Sequence, residues 1–283
     1  MMMSNEDTNN LNSKFWDELC GTNIAQVLGV NDDSAESLGL FDKWFFDFYP
    51  YLPSHLAPIV ANGGRVFEVG LGYGSVATFL MSKELDYTGL DIASGPVEMA
   101  NLRASRLSLK NDVAVIGNVL DLSSFKSGEF DAAVAIGSLH HTGDFDSAVR
   151  ELIRTVRPGG VVVGMVYSLF SLRNWCKRPR MLISELFRNY SGTGRRIRAD
   201  EDLRWMSDHN SIGEAAPATE YFTRRALRNV LSQYGTVTIQ GRNLDSLPLI
   251  GQSYPKIRIF MMRTPLARIL GLDLYFKISK PIS

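Results

Sequence analysis

The stretch "VFEVGLGYGSVATFL", Val66 to Leu80, decides the fold. It runs apolar, then glycine-rich, then apolar again, with Gly70, Gly72 and Gly74 at alternate positions. A short apolar run that breaks at glycines and continues as a helix reads as the first strand, turn and helix of an α/β unit. Glycines at such a turn let the backbone come close to a ligand. In an open α/β sheet, ligands gather at the carboxyl ends of the strands, and the following helix N-terminus adds free N–H groups and partial positive charge.

Reading outward, "YTGLD" is a second strand and "GPVEMANLRASRLSL" a second helix, with Pro96 suited to its first turn. "DVAVIG" and "FDAAVAIG" are the third and fourth strands. In "DFDSAVRELIRTV", Val149, Leu152, Ile153 and Val156 recur at spacings 0, 3, 4 and 7, which gives a helix one apolar face. "RPGG" stops that helix, and the near-continuous apolar run "VVVGMVY" suits a fifth strand buried on both faces. Further on, "FTRRALRNVLSQYG" is a helix with a glycine stop, and "TVTIQGRN" and "DLYFKIS" are the last two strands. Residues 255–271 between them lean to helix. This alternation predicts an α/β fold, a doubly wound and mostly parallel Rossmann-like sheet.

The residues around the turn narrow the ligand. A dinucleotide fingerprint places its third glycine at the sixth position; here Gly74 is at the fifth and Ser75 at the sixth. Glu68 lies two residues before Gly70. A carboxylate there repels a diphosphate and attracts an ammonium group. Asp91 ends the second strand, placed to accept hydrogen bonds from both hydroxyls of a ribose. The ligand these features describe is a phosphate-free nucleoside with a cationic amino-acid tail, and S-adenosylmethionine has that form.

These motifs, in order, resemble the class I S-adenosylmethionine-dependent methyltransferases, motif by motif over roughly residues 64–167. "VFEVGLGYG" resembles the family's first motif and "YTGLDIA" its second, with Ile92 where an apolar side chain covers the adenine. "VIGNVLDL" resembles the third, with Asn118 where Asp is usual; its side-chain oxygen can still accept from the adenine amino group, and Val119 would offer its backbone N–H. "FDAAVAIGSLHHTGD" resembles the fourth and brings Gly137 to the cofactor, and "LIRTVRPGGVVVGMVY" resembles the family's helix, turn and strand after it. The resemblance implies a seven-stranded sheet with its last strand antiparallel, a helical N-terminal cap and an inserted lid. It also implies transfer of a methyl group to oxygen or nitrogen of a small-molecule or lipid-like acceptor, leaving S-adenosylhomocysteine. Substrate identity in such folds resides in the caps.

The expected organisation is a disordered tail over 1–13, a helical cap over 14–60, a cofactor-binding core over 61–167, a substrate cap over 168–219 and the rest of the core over 220–283. His140 and His141, at the end of the fourth strand, are the candidate acceptor-side bases; the alternative is that one packs beneath the site and the other holds the "TGD" loop. Asp121 and Asp131 read as turn or solvated residues, and nothing singles out Tyr221 or Tyr254 as acceptor-positioning hydroxyls. "FDKWFFDFYPYL" spaces Phe41, Trp44, Phe45 and Phe48 helically: core packing, an apolar lid, or a surface resting on a membrane. Residues 168–219 show no strand pattern, and between 173 and 198 eight Arg and Lys face one acid, Glu185; this is a solvated face or a grip on an anionic acceptor such as a phosphate, carboxylate or lipid head group.

Composition bounds the rest. The chain has 283 residues, 45% hydrophobic and 21% charged, with 30 basic and 30 acidic residues. That balance argues against a surface built to grip nucleic acid. Two distant cysteines, Cys20 and Cys176, argue against a disulfide scaffold or cysteine zinc site, and the histidines lack metal-ligand spacing, so no metal is expected. The polar start does not read as a signal peptide, and no run is long enough to span a bilayer, so a cytoplasmic setting is expected, with peripheral membrane contact left open. Oligomeric state is not readable. The rival functions are a non-catalytic module binding the cofactor or its demethylated product, and a nucleic-acid methyltransferase.

Overall fold

A computed structural model describes residues 5–30, 32–109, 112–192, 194–244 and 254–282. Among these, nine strands are β1 (Arg65–Val69), β2 (Asp86–Asp91), β3 (Ala114–Ile116), β4 (Phe130–Ile136), β5 (Val156–Ser168), β6 (Arg196–Arg198), β7 (Glu220–Phe222), β8 (Thr236–Arg242) and β9 (Asp273–Ser279). The helices are α1 (Asn5–Asp17), α2 (Thr22–Val27), α3 (Ala35–Phe48), α4 (Leu52–Asn62), α5 (Ser75–Met81), α6 (Ser94–Arg106), α7 (Phe145–Thr155), α8 (Leu172–Lys177), α9 (Pro179–Ser191), α10 (Glu201–Trp205), α11 (Arg224–Leu231), α12 (Tyr254–Met262) and α13 (Pro265–Leu270).

One path through the sheet runs β3-β2-β1-β4-β5, all parallel, then continues through β9 and β8. β9 is antiparallel to both β5 and β8, so the chain forms the mostly parallel seven-stranded sheet with an antiparallel last strand. Two short strands add to it: β7 extends the end of β5 in parallel, and β6 pairs antiparallel with β7. Apolar side chains pack on both faces, as a doubly wound sheet requires. Leu52, Leu56 and Ile59 of α4 and Val76, Ala77 and Leu80 of α5 cover one face. Val149, Leu152 and Ile153 of α7 and Leu227 and Leu231 of α11 cover the other.

Three local expectations are corrected. The polar tail is helical from Asn5, because Thr8, Asn12 and Phe15 are buried against the body and Asn12 Nδ2 donates to the His141 carbonyl at 2.8 Å. Polar composition suggested disorder, yet these polar groups have partners inside. The apolar repeat through Val156 does not end the helix there: α7 stops at Thr155, and Val156 already pairs with Phe130. The β4–β5 register then shifts before Ala132 meets Val161, so "RPGG" is an irregular entry to the strand, with Gly159 at φ +74°. The 168–219 segment does contain strand, the three residues of β6.

That segment leaves β5 and comes back beside it. Tyr167 pairs with Tyr221 and Ser168 with Phe222, and the Leu169 N–H donates to the Phe222 carbonyl at 2.9 Å. It carries its own small core of Leu169, Leu182, Ala199, Leu203 and Tyr221, joined by Leu272.

Candidate cofactor and acceptor site

The glycine turn takes the shape only glycines take readily. Gly70, Gly72 and Gly74 have φ of +83°, +49° and +74°. A Cβ at Gly70 would collide with Ser138, and one at Gly74 would come within 2.6 Å of Arg103 Cδ. The Leu71 N–H donates to Asp91 Oδ2 at 2.8 Å, tying the turn to the end of β2, and Ala93 N–H donates to Oδ1 at 3.1 Å. Burial pushes the Asp91 carboxyl up to about 6 against these hydrogen bonds. Glu68, 1% exposed on β1, accepts the Tyr87 hydroxyl at 2.7 Å. Loss of solvent pushes its carboxyl up to about 8, the Tyr87 bond opposing and the Asp91 charge adding to the rise.

A cavity of about 520 Å³ opens over this turn. Glu68, Gly70, Gly72, Asp91, Ile92, Asn118, Val119 and Gly137 all line it, so the residues expected to hold the cofactor converge. Gly74 does not line it; it caps α5 above Arg103. Asn118 Oδ1 accepts the Leu120 N–H at 2.9 Å, so it shapes its own turn while facing the cavity. The histidines are divided. His141 lines the cavity; His140 does not. His140 is fully buried, both ring nitrogens without a partner, against His141 and Tyr167 with ring centroids at 4.1 and 4.3 Å. Burial, then the neighbouring His141, holds its imidazole well below the ordinary range and therefore neutral.

The cavity continues past the turn into a half that the sequence motifs do not describe. Trp44, Phe48, Tyr49, Tyr167 and Tyr275 wall it, with polar groups from the inserted segment. His141 Nδ1 lies 2.8 Å from the Ala218 carbonyl; since a carbonyl only accepts, Nδ1 carries the proton. Its Nε2 lies 3.6 Å from Asp208 Oδ2, a buried oxygen with no hydrogen-bond partner. The Tyr167 hydroxyl donates to Asp208 Oδ1 at 3.1 Å; burial and the Asp208 charge push that phenol well above its ordinary value. Arg173 also lines the cavity, donating to the Met206 carbonyl at 2.9 Å and to Ser207 Oγ at 3.3 Å. The Tyr221 hydroxyl, fully buried, bonds Ser207 Oγ and does not line the cavity. The Tyr254 side chain lies outside the described residues. Sequence reasoning missed Asp208, Tyr167 and Tyr87, because each owes its place to a partner on a distant element.

Two caps close the cavity. The aromatic spacing in α3 is both core and lid: Phe41 is 2% exposed and stacks on Tyr73 of the glycine turn at 4.1 Å, while Phe41, Trp44, Phe45 and Phe48 all line the cavity. Asp42 fastens α3 to the base, accepting Ser75 Oγ at 2.5 Å and the buried Arg103 at 2.7 Å. From α1, Trp16 packs on His141 at 4.9 Å. Asp17 accepts Ser94 Oγ and the Gly95 N–H at 2.7 and 3.0 Å, bonds that hold its carboxyl below the usual range. Glu18 accepts the Ser211 N–H and hydroxyl at 2.8 and 2.7 Å, joining this cap to the inserted segment. Of the basic run, Arg173 reaches the cavity, whereas Arg178, Arg188, Arg195, Arg196 and Arg198 pair with Asp200, Asp202, Glu185, Asp146 or Glu220.

The donor set fits S-adenosylmethionine: a buried acid before the glycine turn for an ammonium, where it would repel a diphosphate, and a second acid at the end of β2 for a ribose. The fold and this site define a Rossmann-like α/β protein with a capped crevice at the glycine turn. Residues 67–164 match the methyltransferase domain family. The chain is similar to the S-adenosyl-L-methionine-dependent Diels-Alderase iccD of Talaromyces variabilis, 26% identical over 218 residues, covering 76% of this chain and 66% of that one. It is similar to a ubiquinone biosynthesis O-methyltransferase of Xanthomonas oryzae pv. oryzae, 32% identical over 131 residues, covering 43% of this chain and 54% of that one. The chain thus spans under two-thirds of the length of these curated relatives. Among solved structures, a Thermotoga maritima protein described as a "SAM-dependent methyltransferase, possible histamine N-methyltransferase" superposes with a TM-score of 0.51 at 16% identity, covering 85% of this chain and 94% of that one. Residues 67–164 thus carry a methyltransferase domain, the core around which the two caps are built.

Proposed function

We propose that this chain transfers the methyl group of S-adenosylmethionine to an oxygen or nitrogen of a small, mainly apolar acceptor. One observation carries the reading: a single cavity runs from Glu68, Asp91 and Asn118 into an aromatic-walled half that ends at His141 and Asp208. Glu68 and the glycine turn hold the amino-acid tail, Asp91 the ribose, and Ile92, Asn118, Val119 and Gly137 frame the adenine. When bound, the sulfonium supplies an electrophilic methyl carbon and keeps the electrons of the broken bond. The chain's part is to position and to exclude water. An acceptor hydroxyl placed at His141 would give its proton to Nε2, leaving its oxygen nucleophilic toward the donor's methyl group. The Nδ1–H bond to Ala218 fixes that tautomer, and Asp208 at 3.6 Å stabilises the imidazolium formed. His140, neutral and packed below, supports the ring from beneath. The same reading divides the chain into a cap over 14–60, a cofactor core over 61–167, a substrate cap over 168–219 and a second core part over 220–283. The free Cys20 and Cys176 support a reducing, cytoplasmic setting.

Calorimetry on Asp91→Ala tests the cofactor half: affinity falls at least about tenfold, the value of one lost charge-assisted hydrogen bond. Unchanged affinity removes the ribose assignment. A metabolite screen with methyl-labelled donor, read by mass spectrometry, tests transfer and reveals the acceptor. With that acceptor, His141→Gln lowers kcat by about a hundredfold or more and leaves cofactor affinity unchanged. Full rate in that variant refutes the base.

A second reading has its own support. The relative that aligns over 76% of this chain is an S-adenosyl-L-methionine-dependent Diels-Alderase, and the acceptor half is walled by aromatic rings. The cofactor would then be a bound, unconsumed cation beside an apolar substrate. Substrate consumption that needs the cofactor but moves no label supports that reading. Neither label transfer nor substrate turnover would leave the non-catalytic binding module.

A further inference from the structure

The outward face of α9 is apolar where a solvated helix is polar. Ile183, Leu186, Phe187 and Tyr190, at spacings 0, 3, 4 and 7, are 49, 46, 72 and 89% exposed. The opposite face holds the helix to the body. Leu182 is fully buried in the core of the inserted segment, and Glu185, 6% exposed, receives Arg188 and Arg195. The stripe is therefore not a helix packed the wrong way round; its inward face is already satisfied.

Cations border the stripe. Lys177 and Arg180 are exposed at its N-terminal end, and Arg188 lies beside Phe187 in sequence with its side chain 62% exposed. Among the described residues neither Lys177 nor Arg180 has a carboxylate partner, although Arg178, Arg188, Arg195, Arg196 and Arg198 are ion-paired. A chain with equal numbers of acids and bases has thus gathered uncompensated positive charge around an exposed apolar stripe. Helices of this character lie in the plane of a bilayer surface, apolar side in the acyl boundary and cations on the headgroups. We propose that α9 and its basic flank dock this chain on an anionic lipid surface. A second copy is disfavoured as occupant, since pairing this face with itself opposes like charges. A protein partner would need carboxylates set at fixed places around a two-turn stripe, whereas mobile lipid phosphates supply them anywhere. The proposal is independent of methyl transfer.

The test is co-sedimentation of the full chain, saturated with S-adenosylhomocysteine, on vesicles of phosphatidylglycerol and phosphatidylcholine in equal parts, against phosphatidylcholine alone. Wild type partitions at least about tenfold better onto the anionic vesicles, and the excess shrinks as salt rises from about 0.1 M to about 0.5 M. Lys177→Ala with Arg180→Ala weakens binding about 25-fold, two cations at about fivefold each. Leu186→Ser with Phe187→Ser weakens it about tenfold or more. Phe260→Ser, on the exposed apolar side of α12, is the control and leaves it unchanged. Calorimetric affinity for S-adenosylhomocysteine, equal in all variants, shows that each is folded. Equal binding to both vesicle types, no binding, or full binding by the α9 variants overturns the proposal. So does sedimentation showing a wild-type dimer that Phe187→Ser dissociates, which would assign the face to a second copy.

Discussion

Among the described residues Glu68 has one side-chain donor, the Tyr87 hydroxyl, and it has almost no access to water. Its carboxyl, pushed up to about 8, is mostly protonated at neutral pH while no cation faces it. Without cofactor, the folded state binds more protons than the unfolded chain between the ordinary carboxylate range and about 8, so this group's contribution to stability is full at low pH and is lost as pH rises through that window. An arriving ammonium favours the carboxylate, so binding releases a proton and affinity increases up to about tenfold per pH unit below 8. Calorimetry in buffers of different ionisation enthalpy reads that proton directly. Glu68→Gln abolishes the release and the pH dependence between about 6 and 8, where Asp91 is already ionised; an unaltered pH profile contradicts the assignment. Gly70→Ala tests the turn: at φ +83°, with Ser138 in the way, it costs about 1–3 kcal/mol in urea denaturation. These residues were legible in the sequence because their causes are local: a turn that needs positive φ, an acid at a strand end. Asp208 and Tyr167 were not, because nothing near either in sequence says that they will meet.

At the scale of elements, periodicity located the strands and helices of the core, and it failed where packing overrode composition. α1 is the clearest case. Its sequence is polar and would be solvated alone; it folds because Asn12, Thr8 and Phe15 find buried places and Asp17 caps the start of α6. Asp17 is nearly exposed, and its carboxyl is lowered by bonds from Ser94 and Gly95. That tether is present above the ordinary carboxylate range and is lost as pH falls through the lowered value. Asp17→Ala therefore frees α1 at neutral pH: amide hydrogens over 5–17 exchange faster, and S-adenosylhomocysteine dissociates several-fold faster by stopped flow. Protection equal to wild type would mean that Asn12 and Trp16 suffice to hold the cap.

At the scale of the molecule, the doubly wound sheet was legible because strand–helix alternation leaves few topologies, and the site was legible only on the half that the sheet builds. The aromatic-walled half is assembled from α1, α3 and the segment between β5 and β7, together with Tyr167 of β5 and Tyr275 of β9, pieces that carry no shared motif. The two ends of that segment are neighbours, Ser168 beside Phe222 and Leu169 bonded to it, so the detour begins and finishes at one point, the carboxyl end of β5. Lengthening such a loop costs little further closure entropy, about 0.6 kcal/mol for each doubling. Evolution, or an engineer, can therefore exchange it as a cassette, while β1 to β5 keep their registers untouched.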